Sequence, residues 1–222
     1  MKIQAILFMK NDFMRARSTL KNFCKYNPEI PVRVINAGGQ SPKPYLLDIP
    51  NLCFLDTEDL WQNMMRSPGS FGPRFFDYFF DYGLNIEFSH TLYLETDVLT
   101  NRKITISPKY DISGPNNPCS SQEFILYEYL GIDKNLKHTG CGGTIFSFNY
   151  FKTIKNGYYY LYQDLFDKYP ENYVGDLVST LVGRKAGLSV GSWEEVSNFP
   201  FQFINDKRTL VDMNATLVHN IK

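Results

Sequence analysis

The run Ile3–Met9 is apolar apart from Gln4 and is followed at once by Lys10-Asn11-Asp12, which predicts a buried strand running into a loop. Asp12 stands where a helix cap belongs. Beyond it Phe13, Ala16, Leu20 and Phe23 recur at spacings of three and four, predicting a helix that Asn27-Pro28 ends. Val32-Arg33-Val34-Ile35 reads as a second strand, closed by the turn Asn36-Ala37-Gly38-Gly39. Short apolar strands joined through a helix imply a parallel sheet covered by helices.

A proline-punctuated loop over 41–50 leads to a third strand at 52–55, and Asp56-Thr57-Glu58-Asp59 has the composition of a helix start. The stretch 73–82 puts Phe75, Phe76, Phe79 and Phe80 on one helical face, a stripe that belongs in the core. His90–Leu94 is the next strand and ends on Glu95-Thr96-Asp97. Beyond it the pattern predicts a strand around 110–113, a turn-rich loop at 115–118 and a helix at 122–130. Gly140-Cys141-Gly142-Gly143 then leads into an apolar strand at 144–148. Aromatic helices over 150–169 follow, then a helix at 177–182 opened by Gly175-Asp176. The last apolar run is Thr216-Leu217-Val218, with His219 directly after it. No repeat, low-complexity tract or linker divides the 222 residues. The expectation is one α/β domain over residues 1–222, with a mostly parallel central sheet flanked by helices.

Composition narrows the function classes. Lys+Arg and Asp+Glu both number 23, and this balance argues against a nucleic-acid partner, which calls for a basic excess. Aromatic residues make up 16 %, from 18 Phe and 15 Tyr, enough for a thick core, an aromatic-lined cleft, or both. Cys24, Cys53, Cys119 and Cys141 have no Cys-x-x-Cys spacing and read as free thiols of a reducing compartment. The N-terminal apolar stretch is too short for a signal peptide, and nothing approaches a membrane span. A soluble, cytoplasmic protein with no transmembrane segment is expected, and the sequon Asn214-Ala-Thr216 is then a chance match.

The sharpest chemistry lies in Leu92-Tyr93-Leu94-Glu95-Thr96-Asp97-Val98-Leu99. Side chains alternate along an extended chain, so Glu95 and Asp97 can point the same way. Ligands of open α/β sheets sit beyond the carboxyl ends of strands. Two carboxylates there suit a hard divalent ion, Mn²⁺ or Mg²⁺. Gly142-Gly143 serves either a turn or close approach of backbone to a ligand. Asp176 serves either as a helix cap or as a catalytic carboxylate. His219, after an apolar run, can join a metal shell. His90 precedes its strand and so lies at the wrong end, whereas His138, just before the glycines, can reach an acceptor.

In order, these elements resemble the GT-A fold of nucleotide-sugar-dependent glycosyltransferases, and the glycogenin/galactosyltransferase-like branch in particular. YLETDVL, CGGTIFSFNYF, GDLVSTL and LVHNIK resemble its metal motif, acceptor-side strand, catalytic-region helix and closing His segment. The resemblance implies a metal-dependent transferase that moves a sugar from a nucleoside-diphosphate donor, a UDP-sugar first, to a hydroxyl of a glycan or glycoconjugate. It assigns Asp97, Glu95 and His219 to the metal, with Glu95 standing where the family has Asp. It places Phe8, Met9 and Lys10 at the nucleoside edge, Arg74 and Lys222 at the diphosphate, Thr96 within the donor motif, and Gly142 and Gly143 against the sugar. Asp176 falls near the anomeric carbon, as the proton acceptor of an inverting reaction or the stabilising anion of a retaining one. The chain's small size suits a module of a larger enzyme or a compact microbial or viral transferase.

Two other classes compete. A nucleotidyltransferase making nucleotide-sugars needs a glycine-rich basic loop after the first strand, and Lys10-Asn11-Asp12-Phe13 has no glycine. A non-catalytic carbohydrate-binding module accounts for the aromatics but leaves Glu95, Asp97 and His219 without a task. A P-loop enzyme is disfavoured, because Gly-x-x-x-x-Gly-Lys-Ser/Thr is absent.

Overall fold

The computed structural model describes the chain except residues 59, 65–66, 118–120, 198–200, 205–206, 211–214 and 219–222, with backbone alone at 61–64, 67–71, 201–204 and 207–210. In chain order the elements are β1 (Ile3–Met9), α1 (Phe13–Tyr26), β2 (Val32–Asn36), α2 (Lys43–Leu46), β3 (Leu52–Asp56), β4 (Trp61–Met64), β5 (Ser67–Phe71), α3 (Arg74–Gly83), β6 (His90–Leu94) and β7 (Leu99–Thr100). The second half continues with β8 (Ile112–Gly114), α4 (Phe124–Leu130), β9 (Ile145–Ser147), α5 (Phe148–Gly157), α6 (Tyr160–Lys168), α7 (Gly175–Lys185), β10 (Val190–Ser192), β11 (Val196–Ser197), β12 (Phe201–Ile204), β13 (Lys207–Leu210) and β14 (Leu217–Val218).

Seven strands form the main sheet in the order β10-β8-β9-β6-β1-β2-β3. β1 runs parallel to β2 and β6, and β2 parallel to β3, so four carboxyl ends share one edge. The sheet is mostly parallel, with β9 reversed between β6 and β8. β1 is buried along its whole length, and its side chains alternate between the two faces. Ile6 and Phe8 join an aromatic layer with Phe76, Phe79, Phe80, Phe146, Tyr150 and Tyr162. Ala5, Leu7 and Met9 join a largely aliphatic layer with Leu20, Phe23, Val32, Val34, Leu92 and Leu94. The phenylalanine stripe of α3 is therefore core, with Phe75, Phe76, Phe79 and Phe80 all buried.

Several boundaries move for identifiable reasons. Asp56 starts no helix. Its carboxylate accepts from Asn36 Nδ2 (3.0 Å) and Ser41 Oγ (3.1 Å), Thr57 N–H bonds the Asn36 carbonyl, and the hairpin β4–β5 follows. Asp12 occupies the N-cap position of α1 without making a cap hydrogen bond. The strand expected at 144–148 ends at Ser147, whose side chain accepts from Tyr150 N–H at 3.1 Å and so caps α5. The helix expected at 177–182 runs the full Gly175–Lys185. Cys24, Cys53 and Cys141 are free thiols, and Cys119 lies outside the described residues.

Candidate active site at the carboxyl edge of the sheet

β1 and β6 are in register with Leu7 opposite Leu94, so the segments that leave them, Phe8 to Lys10 and Glu95 to Asp97, emerge side by side. Burial then separates their roles. Phe8 and Met9 are core residues, Phe8 packed on Phe75 with ring centroids 4.1 Å apart, so only their main chain can face a ligand. Lys10 is half-buried, as are Glu95, Thr96 and Asp97.

The Glu95-Thr96-Asp97 turn and the chain that leaves it, through residue 104, are tied to polar side chains of α1 and its flank. Thr19 Oγ1 donates to the Thr96 carbonyl (2.8 Å), Asn22 Oδ1 accepts from Thr100 N–H (2.6 Å), and Asn27 Oδ1 accepts from Ile104 N–H (2.9 Å). Thr96 itself donates to the Asp12 carboxylate at 3.1 Å. Its hydroxyl thus ties the turn to α1, which is the use Asp12 finds in place of capping. Tyr93, buried at the end of β6, is hydrogen-bonded to Glu95. Burial, then the negative charges of Glu95 and Asp176, hold its phenol well above the ordinary tyrosine range.

On the other side of β6 the glycine-rich segment carries the second half of the site. Gly143 pairs its N–H with the Tyr93 carbonyl (2.8 Å) and has φ +93°; a Cβ there would lie 2.5 Å from Val196 Cγ2. Gly142 is buried beside it. Gly140, to which sequence spacing alone gives no role, has φ +146°, and a Cβ on it would overlap the Asp176 backbone carbonyl. Thr139 N–H bonds Thr180 Oγ1 at 3.0 Å, and the Thr180 hydroxyl returns to the Thr139 carbonyl. The N-terminal half of α7 is thereby held against residues 139–140, at Thr180 by hydrogen bonds and at Asp176 by close backbone approach. Asp176 sits in the first turn of α7, half-buried, and its carboxylate accepts from Leu177 N–H at 2.9 Å. Burial raises its proton affinity, Glu95 pushes the same way, and His138 opposes them.

The remaining assignments fall as follows. Arg74 opens α3 and is ion-paired with Glu58, both half-exposed. His90 pairs with Ser147 at the opposite end of β6 from Glu95. His219 and Lys222 lie outside the described residues, but Val218 pairs with Leu99, two positions beyond Asp97. Among the described residues no group of three or more His, Cys, Asp or Glu side chains is arranged to hold a metal. Glu95 and Asp97 nonetheless fit one chemically. They are hard oxygen donors at a strand's carboxyl edge, and the charge of Glu95 already disfavours ionisation of Asp176, a crowding that a cation relieves.

No protein-family model matches the chain, and no curated protein matches it. Solved structures do. A galactosyltransferase, LgtC, in complex with donor and acceptor sugar analogues, aligns over 99 % of this chain and 87 % of its own, with a TM-score of 0.57 and 15 % identity. An active-site mutant of LgtC gives a TM-score of 0.62 at 12 % identity over the same shares. The apo form of the glycosyltransferase GlyE from Streptococcus pneumoniae TIGR4 aligns over all of this chain but 55 % of its own, with a TM-score of 0.55 and 14 % identity. The chain has the α/β fold of the GT-A glycosyltransferases. No helix among the described residues is long and apolar enough to cross a membrane.

Proposed function

We propose that this protein is a metal-dependent glycosyltransferase that moves a sugar from a nucleoside diphosphate, UDP in the first instance, to a hydroxyl of a glycan or glycoconjugate. The observation that supports it most is the way the 140–143 segment joins the Asp176 backbone of α7, at Gly140, to the end of β6 that carries Glu95, through Gly143 N–H on the Tyr93 carbonyl, in a fold shared with LgtC along nearly the whole chain. Glu95, Asp97 and His219 would hold Mn²⁺ or Mg²⁺, which supplies charge neutralisation to a departing diphosphate.

The chain's own residues divide the rest of the work. Main chain at 8–10 borders the nucleoside, while Lys10, Arg74 and Lys222 supply positive charge for the diphosphate oxygens. Arg74 must exchange Glu58 for the phosphate, at little cost because both partners are half-exposed. Gly142 and Gly143 lie on the sugar side of β6. Asp176, with raised proton affinity, takes the acceptor proton if the configuration inverts, or supports positive charge on the sugar if it is retained. The anomeric configuration of the product distinguishes these two roles. We read the 222 residues as one cytoplasmic catalytic domain.

The test is nucleoside-diphosphate release from a panel of UDP- and GDP-sugars with Mn²⁺, comparing the wild type with Asp97→Ala. Metal-dependent release that the substitution abolishes supports the proposal. No release from any donor, with or without metal, overturns it.

A further inference from the structure

The chain as a whole is neutral, with 23 basic and 23 acidic residues, but α1 is not. It carries Arg15, Arg17, Lys21 and Lys25 and no acidic residue. Met14, Lys21 and Lys25 recur at spacings of seven and four, on the stripe turned away from the buried Ala16, Leu20 and Phe23. α2 is seated along the flank of that stripe. Tyr45 stacks on Phe13 with ring centroids 4.5 Å apart, and Arg17 donates to the Tyr45 carbonyl (2.6 Å) and to both oxygens of Asp48 (2.5 and 2.7 Å). Lys21 approaches Asp48 at 3.3 Å as well, so the acid that follows α2 is already neutralised. What projects from this face is apolar. Met14 is 75 % exposed, Leu47 67 % and Tyr45 40 %, with Lys43 exposed at the start of α2. Ile86 and Tyr160, also well exposed, stand instead beside Glu87 and one helical turn from Asp164.

Apolar tips set among positive charges suit a partner that is anionic outside and apolar within. We propose that the α1–α2 face docks on an anionic phospholipid bilayer, with Met14 and Leu47 entering the headgroup boundary and Lys21, Lys25 and Lys43 meeting lipid phosphates. A protein interface keeps lysine out of its core. A bilayer surface accepts apolar tips ringed by ammonium groups, because the long lysine stems lie along the apolar surface while their heads stay in the polar layer. Asp12, two residues before Met14, receives the Thr96 hydroxyl at 3.1 Å, so the docked face adjoins the turn that carries Glu95 and Asp97. The docking itself does not depend on the transferase reading.

The experiment is co-sedimentation of the full chain with vesicles of phosphatidylcholine alone and of phosphatidylcholine mixed with phosphatidylglycerol, at low and at high salt. We expect binding to the mixed vesicles only, lost at high salt. The double variant Lys25→Glu/Lys43→Glu should weaken it by about tenfold or more, and Met14→Ser/Leu47→Ser by about fivefold to twentyfold, with folding intact by circular dichroism. Ile86→Ser, at an exposed apolar position outside this face, should bind as the wild type does. No binding to either vesicle, equal binding to both, or binding unchanged in both double variants overturns the inference. So does capture by poly-glutamate without vesicle binding, which marks an acidic polypeptide as the partner. None of these outcomes bears on nucleotide release, so the glycosyltransferase reading stands or falls separately.

Discussion

The two faces of the sheet serve the site by different physics. On one face α3, α5, α6 and α7 pack through aromatic rings: Phe76 lies 4.0 Å from Tyr162 between centroids, Phe79 5.1 Å from Phe146, and Tyr150 shares a 2.5 Å hydroxyl contact with Tyr162. Asp176 is carried on this face by a helix whose residues 177–183 are all buried. On the other face α1 packs through Ala16, Leu20 and Phe23, but it grips the Glu95-Thr96-Asp97 turn through the side chain of Thr19 and the strand that follows, β7, through that of Asn22. Packing fixes a carboxylate to within the play of a close-packed core, whereas hydrogen bonds hold a turn that has to meet a ligand. The aromatic face should therefore govern turnover and the α1 face nucleotide affinity.

Substitutions on each side break or sharpen that contrast. The largest effect is expected for Asp176→Asn, with kcat reduced by about a hundredfold or more and UDP affinity retained. The same variant should melt higher at neutral pH. The folded carboxyl has a raised pKa, so the native state binds more protons than the unfolded state above the ordinary aspartate range, and ionisation costs stability as pH rises through that window. A melting series of wild type and Asp176→Asn against pH checks the sign, with the gap widening from acid toward neutral.

Gly140→Ala comes next. A positive φ and an overlap with backbone should cost about 2–4 kcal/mol in chemical denaturation and lower kcat with it. Glu195→Gln tests the base of the small β11-β14-β7 sheet. Glu195 is fully buried and accepts from Thr105 N–H and Ile106 N–H, each at 2.6 Å, and from the hydroxyl of Thr216. Burial pushes its carboxyl up, but these hydrogen bonds outweigh it and leave it lowered. Its stability contribution is therefore present above the ordinary glutamate range and lost as pH falls through the folded value. The substitution should cost about 2–3 kcal/mol at neutral pH and less in acid. Thr19→Val is the smallest, about 1 kcal/mol in stability, with a measurable weakening of UDP binding and no change in kcat.

Much of this was legible in the sequence because it follows local periodicity. β1, α1, β6 and the aromatic stripe of α3 stand where short apolar runs and three–four spacing place them. Asp56 misled because a carboxylate ahead of polar residues looks like a cap, and only the neighbouring β2 reveals that Asn36 claims it. The same holds for Asp12, claimed by Thr96 from 84 positions away. At the site, the sequence marked Glu95, Asp97 and Asp176 by type and spacing. Gly140 and the Thr139–Thr180 staple escaped because their meaning depends on a helix more than 30 residues on. The Gly-Cys-Gly-Gly run itself was the available signal, since its first glycine needs a reason as much as its last two.

The most direct measurement is calorimetric titration of UDP into the wild type and Asp97→Ala, each with and without Mn²⁺. The account predicts UDP binding to the wild type that requires Mn²⁺ and disappears in Asp97→Ala, with folding intact by circular dichroism. UDP binding that ignores both the metal and the substitution, or no nucleotide binding at all, would contradict a metal–diphosphate site at the carboxyl end of β6.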